Sequence, residues 1–348
     1  MRPSNNNFFK NMKNYQEVIG IDVSKNKLDA YGHNRGSHRE FSNDVAGYKA
    51  LLKWAKVKGQ RVFFCFENTG HYSLKLALYL ASKKQVYVQE NPVVIKRSSG
   101  VIREKNDVVD AIMIARYGWL HREELSPSEL KDNELLEVGR LLALRDQLVR
   151  NRTGLKSTLS ELKKLLSSSS TDTCCKTLVS SITHLTSQIN KVEKQLKTLI
   201  KTSEALSQNY KLITSLKGIG LVVGAQLLYH TNNFKRFDSW RQFSSYCGTA
   251  PFGHSSGSSI HKKRKCHPMG DRQMKSLLSM AACTAIQYDS ELRHYYKKKR
   301  EEGKLKMIAL NNVRNKLLSR VFAVVKRGTP YVELHKFAAS EIVEKAWI

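Results

Sequence analysis

The chain has 348 residues, 41% of them hydrophobic, with 59 Lys plus Arg against 30 Asp plus Glu and a formal net charge of +29. That length and apolar content argue for two or three packed domains and exclude a disordered tail, while the charge favours a polyanion, usually nucleic acid, as partner. Six cysteines without metal-ligand spacing argue against a disulfide framework and a structural zinc, and no apolar run nears the ~20 residues of a membrane span.

The start, MRPSNNNFFKNMKNYQ, lacks the apolar core of a signal peptide. Residues 1–15 read as a frayed terminus and the chain as intracellular and reduced. EVIGIDVS is then a short strand ending near Asp22, and KLDAYGHN a second strand of a hairpin. VAGYKALLKWAK has helical spacing, RVFFCFENTG is a strand ending at Glu67, and YSLKLALYLASKK is a helix. QVYVQENP is a further strand, stopped by Pro92, and DVVDAIMIARYGWL a helix apolar on most faces. Strands alternating with helices predict an α/β layer over 16–130, with Asp22 and Glu67 at strand carboxyl ends.

The period then changes. Leu141, Leu148, Leu155 and Leu162 recur every seven residues, with Leu144 and Leu165 offset by three. After SSSSTDTCC, Ile182, Leu185, Ile189, Val192, Leu196 and Leu199 step by three and four. These are heptad seams, and they predict an antiparallel coiled-coil hairpin over 131–205 suited to assembly. A mainly α-helical unit follows over 206–330, with a tail over 331–348. Within it Lys217, Gly218 and Gly220 fit a helix–glycine hairpin–helix whose backbone N–H groups meet a DNA phosphate. A plain tight turn between two core helices is the alternative. Lys262, Lys263, Arg264 and Lys265 form one basic run, and Lys297, Lys298, Lys299 and Arg300 a second near Tyr288, Tyr295 and Tyr296. Basic clusters with aromatics suit a nucleic-acid backbone and bases; a solvated helix face is the alternative for the second run.

Two features carry chemistry. Asp107 and Asp110 are three apart on a helix, hence neighbours that repel each other. A divalent cation would relieve that repulsion, and Mg²⁺ or Mn²⁺ takes such oxygen donors together with phosphate oxygens. Asp22 and Glu67 could complete the set. The structural alternative makes Asp107 an N-cap and Asp110 a first-turn acid. The second feature is APFGHSSGSS, residues 250–259, a flexible, anion-friendly loop before a cationic run. A serine there could attack a phosphate, although Ser-Gly loops are commonly just loops.

Taken in order, GIDVSKNKLD, FENTGHY, KNDVVDA, LKGIGLVVGAQLL, FKRFDSWRQFSSYCGTAPFGHSSGSS and MKSLLSMAA resemble the DEDD-type transposases of insertion-sequence family 110, which include the Piv-like invertases. The resemblance spans roughly residues 15–325. It implies a ribonuclease-H-like (RuvC-type) N-terminal domain, a coiled-coil segment and a C-terminal transposase domain. It places the family's four metal-binding acids on Asp22, Glu67, Asp107 and Asp110, and its nucleophilic serine on Ser256, with Ser255, Ser258 and Ser259 adjacent. The chain departs from the pattern at Asn106, where the family usually has Thr, and at KCHPMGDRQ, which carries Cys266 and Pro268. The implied activity is metal-dependent strand cleavage and exchange on double-stranded DNA through a covalent phosphoserine, guided by a structured non-coding RNA, by a dimer or tetramer in the prokaryotic cytoplasm and nucleoid. A RuvC-like nuclease using only acids and water is one alternative, and a non-enzymatic nucleic-acid-binding protein the other.

Overall fold

The structure is a computed structural model and describes residues 12–56, 59–68, 70–98, 106–165, 172–256, 260–266 and 269–332. The chain divides into two compact units, Met1–Leu130 and Lys131–Ile348.

The first unit is built on a five-stranded mixed sheet. Its strands are β1 (Glu17–Val23), β2 (Lys27–Gly32), β3 (Ser37–Ser42), β4 (Val62–Glu67) and β5 (Tyr87–Glu90), in the order β3-β2-β1-β4-β5. β1, β2 and β3 form an antiparallel meander, while β1, β4 and β5 run parallel. Parallel neighbours need crossovers, and α1 (Val45–Ala55) and α2 (His71–Ser82) provide them. Side chains alternate across a strand, and the core follows that alternation. Ile19, Ile21, Val23, Phe64 and Phe66 pack with Tyr48 and Leu51 of α1 and Leu76 and Leu80 of α2. Val18, Phe63 and Cys65 face the other way, toward Ile95 of α3 (Pro92–Ser98) and Ile114 and Tyr117 of α4 (Asp107–Leu120). The result is a mixed α/β sandwich consistent with a ribonuclease-H-like transposase domain.

Three elements of the first unit differ from the sequence reading. Residues 12–15 are not frayed: Met12–Asn14 form a 3-10 turn, Met12 is buried with Val18 and Phe63, and Tyr15 packs against that cluster. β3 was not expected, because its burial pattern contains a single buried residue, Phe41, among polar ones; it exists as the edge partner of β2. Pro92 does stop β5, but it also opens α3. A proline at the first helical position loses no hydrogen bond and is already set at a helical φ.

α4 lies unusually close to β1. A Cβ on Gly20 would stand 2.2 Å from the Ala115 backbone nitrogen and 2.5 Å from the Ala111 carbonyl oxygen. From the helix side, a Cβ on Gly118 would stand 2.8 Å from Val18 Cγ1. Gly20→Ala therefore meets backbone that cannot swing aside. We expect it to lower the unfolding free energy by about 3 kcal/mol, the upper end for overpacking, read as a lower urea midpoint.

In the second unit, α5 (Asn133–Leu165) and α6 (Thr173–Thr202) run antiparallel. Arg145 Nε donates to Glu193 Oε1 at 2.7 Å and Arg152 pairs with Thr186 farther along. Leu141, Val192, Leu196 and Ile200 are buried and share one core with α7 (Glu204–Thr214), α8 (Leu221–His230), α10 (Arg272–Tyr288) and α12 (Lys306–Arg327). Leu144 and Leu165 do not join the seam: they are 49% and 80% exposed. α9 (Trp240–Tyr246) and α11 (Ser290–Glu301) complete the helices. An antiparallel hairpin of β6 (Pro251–Ser256) and β7 (Ile260–Cys266) stands between α9 and α10 in the chain. All six cysteines are free. No helix among the described residues is long and apolar enough to cross a membrane.

Candidate active site

Alternation along β1 and β4 decides where the two strand acids point. Val18 and Gly20 face α4, and so does Asp22, two residues on. Phe63 and Cys65 face the same way, and so does Glu67. The parallel register pairs Ile21 with Phe66, one position before Asp22 and Glu67, so the two acids are neighbours at the carboxyl edge of the sheet.

The helix supplies the other pair. Asn106 is the N-cap of α4, its Oδ1 accepting from Val109 N at 2.8 Å. Asp107 and Asp110 occupy the first turn, where the positive end of the helix dipole favours carboxylates. Asn106 thus fulfils the cap and leaves Asp107 free for other partners. Asn106→Ala should cost about 1 kcal/mol of stability, whereas Asn106→Thr should retain most of it, since both Asn and Thr cap; chemical denaturation of the two variants checks this.

These acids feel one another. Burial first, then the charges of Asp110, Asp107 and Asp29, push the Asp22 carboxyl up to about 6. Burial, then Asp22 and Asp110, also raises Glu67. Oxygen donors that repel one another on a half-buried surface fit a hard divalent cation in chemistry. Among the described residues, however, no three His, Cys, Asp or Glu side chains are already gathered in metal-holding geometry.

Lys27 and Asp29 were missing from the sequence reading. Lys27 Nζ lies 2.8 Å from Asp107 Oδ2, 3.1 Å from Asp29 Oδ2 and 3.5 Å from Glu40 Oε2. The Asp107 and Asp29 carboxylates accept its hydrogen bonds and hold its pKa well above the usual lysine range. Asp29 is buried, lies directly across the hairpin from Asp22, and has its other oxygen 3.0 Å from His38 Nε2. The usable signal was the two-residue spacing in KLD: on a strand, Lys27 and Asp29 share a face.

The second unit holds the serine segment. Ser255 and Ser256 are the last residues of β6 and do not form a loop; Ser256 is in register with Ile260 of β7. Ser258 and Ser259 lie outside the described residues. Lys262, Lys263, Arg264 and Lys265 lie on β7. The hairpin is fixed at its base. The buried Thr249 carbonyl accepts from Asn311 Nδ2 at 2.8 Å and Asn315 Nδ2 at 3.0 Å, both on α12.

The remaining candidates separate. Gly218 has φ +94°, and a Cβ there would stand 2.4 Å from the Ala281 carbonyl of α10. Packing between core helices accounts for this glycine, as the plain-turn alternative expects. Lys217 and Gly220 are exposed beside it. On α11, Lys297, Lys298 and Arg300 are exposed, whereas Lys299 is tied to Glu302 at 2.8 Å and lies near the Tyr295 ring. Tyr295 and Tyr296 pack against the core, leaving Tyr288 exposed.

A DEDD model of the IS110 type, described as Transposase, matches residues 19–169, which include all four acids. A second model, described as Transposase IS116/IS110/IS902 family, matches residues 210–297. The pilin gene-inverting protein of Moraxella bovis is 29% identical over 326 residues, covering 90% of this chain and 97% of its own length. Its counterpart in Moraxella lacunata is similar to the same extent. The insertion element IS110 uncharacterized 43.6 kDa protein of Streptomyces coelicolor is 32% identical over 154 residues, 44% of this chain and 37% of that protein.

Proposed function

From the premise that this chain belongs to the IS116/IS110/IS902 transposase family and is a DNA transposase of the recombinase kind, we propose that it mobilises an insertion element by metal-dependent cleavage and exchange through a phosphoserine. DEDD-type transposases use divalent metal ions. The carrying observation is the convergence of Asp110 and Asp107, from the first turn of α4, on the half-buried Asp22, with Glu67 on the adjoining strand. Asp22, Glu67 and Asp110 are the proposed donors for Mg²⁺ or Mn²⁺, with Asp107 the fourth acid of the set. A bound ion would polarise the scissile phosphate and offset charge developing on its oxygens.

The protein's own groups do the rest. The Ser256 hydroxyl loses its proton and its oxygen bonds to phosphorus as the bond from phosphorus to a sugar oxygen breaks; that oxygen takes up a proton. After strand exchange a sugar hydroxyl attacks the same phosphorus and the serine leaves. The phosphodiester bond energy is kept in the covalent link, which is the advantage of a serine over water when ends must be rejoined.

The lysines and arginines of 262–265, with Lys217, Lys297, Lys298 and Arg300, are proposed contacts to the polyanion. A net charge of +29 leaves room for a guide RNA as well as DNA, and for a dimer or tetramer on two element ends. The test combines the protein, DNA carrying both element ends and a target, and a transcript of the non-coding flank of the element. Joined product should require both Mg²⁺ and the transcript. Product formed in EDTA would overturn the metal reading, and product formed without the transcript would overturn the guided one.

A further inference from the structure

The acid cluster already contains a cation. An ammonium has three N–H donors, and Lys27 Nζ has three carboxylates around it: Asp107 at 2.8 Å, Asp29 at 3.1 Å and Glu40 at 3.5 Å. Its position is built in from below. The Lys27 backbone N donates to Ser24 Oγ at 3.2 Å, and that hydroxyl donates to the Lys27 carbonyl at 2.9 Å, so the β1–β2 turn fixes the root of the side chain. Asp29 is 3% exposed and is held from its far side by His38. Asp29 and Glu40 are register partners on β2 and β3, so two strands hold the ammonium toward the helix. Asp107 is the one acid of the family set that it reaches.

The remaining acids are not neutralised in this way. Among the described residues, Asp22, Glu67 and Asp110 have no cationic partner within ion-pair distance. Among the described residues, one fixed positive charge thus compensates Asp107, and Asp22, Glu67 and Asp110 keep their mutual repulsion. Three carboxylates suit one divalent ion that keeps some of its waters.

We propose that Lys27 is a positioning residue, a resident cation that holds Asp107 out of metal coordination and takes the place of a second metal ion, so that the site binds one. The proposal rests on the reading of Asp22, Glu67 and Asp110 as ligands. It makes Lys27 part of the charge balance around the scissile phosphate and gives Asp29, the last residue of GIDVSKNKLD, the role of seating it.

Tb³⁺ luminescence titration of the full chain tests this without any turnover. Tb³⁺ takes carboxylate oxygens as Ca²⁺ does and is detected directly when bound. Sites are counted as those lost in an Asp22→Asn/Asp110→Asn double variant, plus any further site lost on Asp107→Asn, which keeps adventitious surface binding out of the tally. We expect one such ion per chain for the wild type and for Lys27→Arg. Lys27→Met should bind two, the second lost again when Asp107→Asn is added. Lys27 is more than one-third exposed, so the Met variant should fold, and circular dichroism checks that it does; Lys27→Gln serves as a second uncharged variant. Two ions in the wild type, or one in both uncharged variants, would overturn the role of Lys27. A wild type with no ion sensitive to the double substitution would instead overturn the ligand reading beneath it.

Discussion

Asp22→Asn should abolish recombination, by ~10³-fold or more, and at the same time make the metal-free protein harder to melt. The loss is the scale on which a missing electrostatic stabiliser of the reacting charge is felt, and Asp22 is the acid on which the other charges converge. The gain in stability follows from the same arrangement. The Asp22 carboxyl stands at about 6, through burial first and then the neighbouring carboxylates, against an ordinary value of about 3.9. A carboxyl raised on folding binds its proton more tightly in the native state. Its contribution to stability is thus fully present below about pH 3.9 and is lost as pH rises through about 6. Above that, the native state carries a repelled, partly desolvated charge that Asn removes. Thermal melts in EDTA at pH 7.5 should show Asp22→Asn above the wild type. Between pH 5 and 7.5 the wild type should lose more of its melting temperature than the variant. A residue that merely supported the fold would lose stability together with activity. Equal recombination by Asp22→Asn and wild type would remove the carboxylates from the chemistry.

The first unit was largely legible in the sequence because its strands are apolar runs that end in acids. EVIGIDV and VFFCFE announce both the element and the candidate ligand, and period-two alternation puts Asp22 and Glu67 on the α4 face once that face is known. β3 was not legible, because SHREFS has one apolar residue and forms by pairing with β2. Lys27 was not legible for a different reason. A lysine in a turn-flanked segment reads as a solvated charge, and only the fold brings three carboxylates to it from β2, β3 and α4. In the second unit the heptad steps indicated two long helices. They did not distinguish Leu141, which is buried, from Leu144 and Leu165, which are exposed, because Leu144 is off the face by which Leu141 and Leu148 join the core and Leu165 lies at the far end of α5. The serine segment looked like a loop through its Ser and Gly content, yet Ser255 and Ser256 are strand residues whose pairing with β7 composition does not reveal.

Ser256→Ala should leave DNA binding intact and eliminate the covalent protein–DNA species. A hydroxyl that forms the bond to phosphorus has no substitute in Ala, and loss of a nucleophile costs on the order of 10⁴–10⁶-fold, so the adduct should fall below detection. The fold argues that the effect is local. Ser256 is the last paired residue of β6, opposite Ile260, whereas the hairpin is anchored at its other end, where Asn311 and Asn315 hold the Thr249 carbonyl. Those anchoring bonds lie at the far end of β6 from position 256 and involve none of its atoms. The assay uses DNA nicked next to the cleavage site, so that the attacking hydroxyl is lost and the link cannot be reversed, followed by denaturing electrophoresis of labelled DNA. Wild type should give a protein-sized shift that survives detergent and disappears with protease. Ser256→Ala should give none, with an unchanged mobility shift under native conditions and an unchanged dependence of binding on salt, since no phosphate-contacting cation has been removed. Adduct that persists in Ser256→Ala but is lost in Ser255→Ala, Ser258→Ala or Ser259→Ala would move the nucleophile along the hairpin. Free ends with no adduct in the wild type would instead make water the nucleophile and leave the four acids to act as in a metal-dependent nuclease, with no covalent store of energy for rejoining.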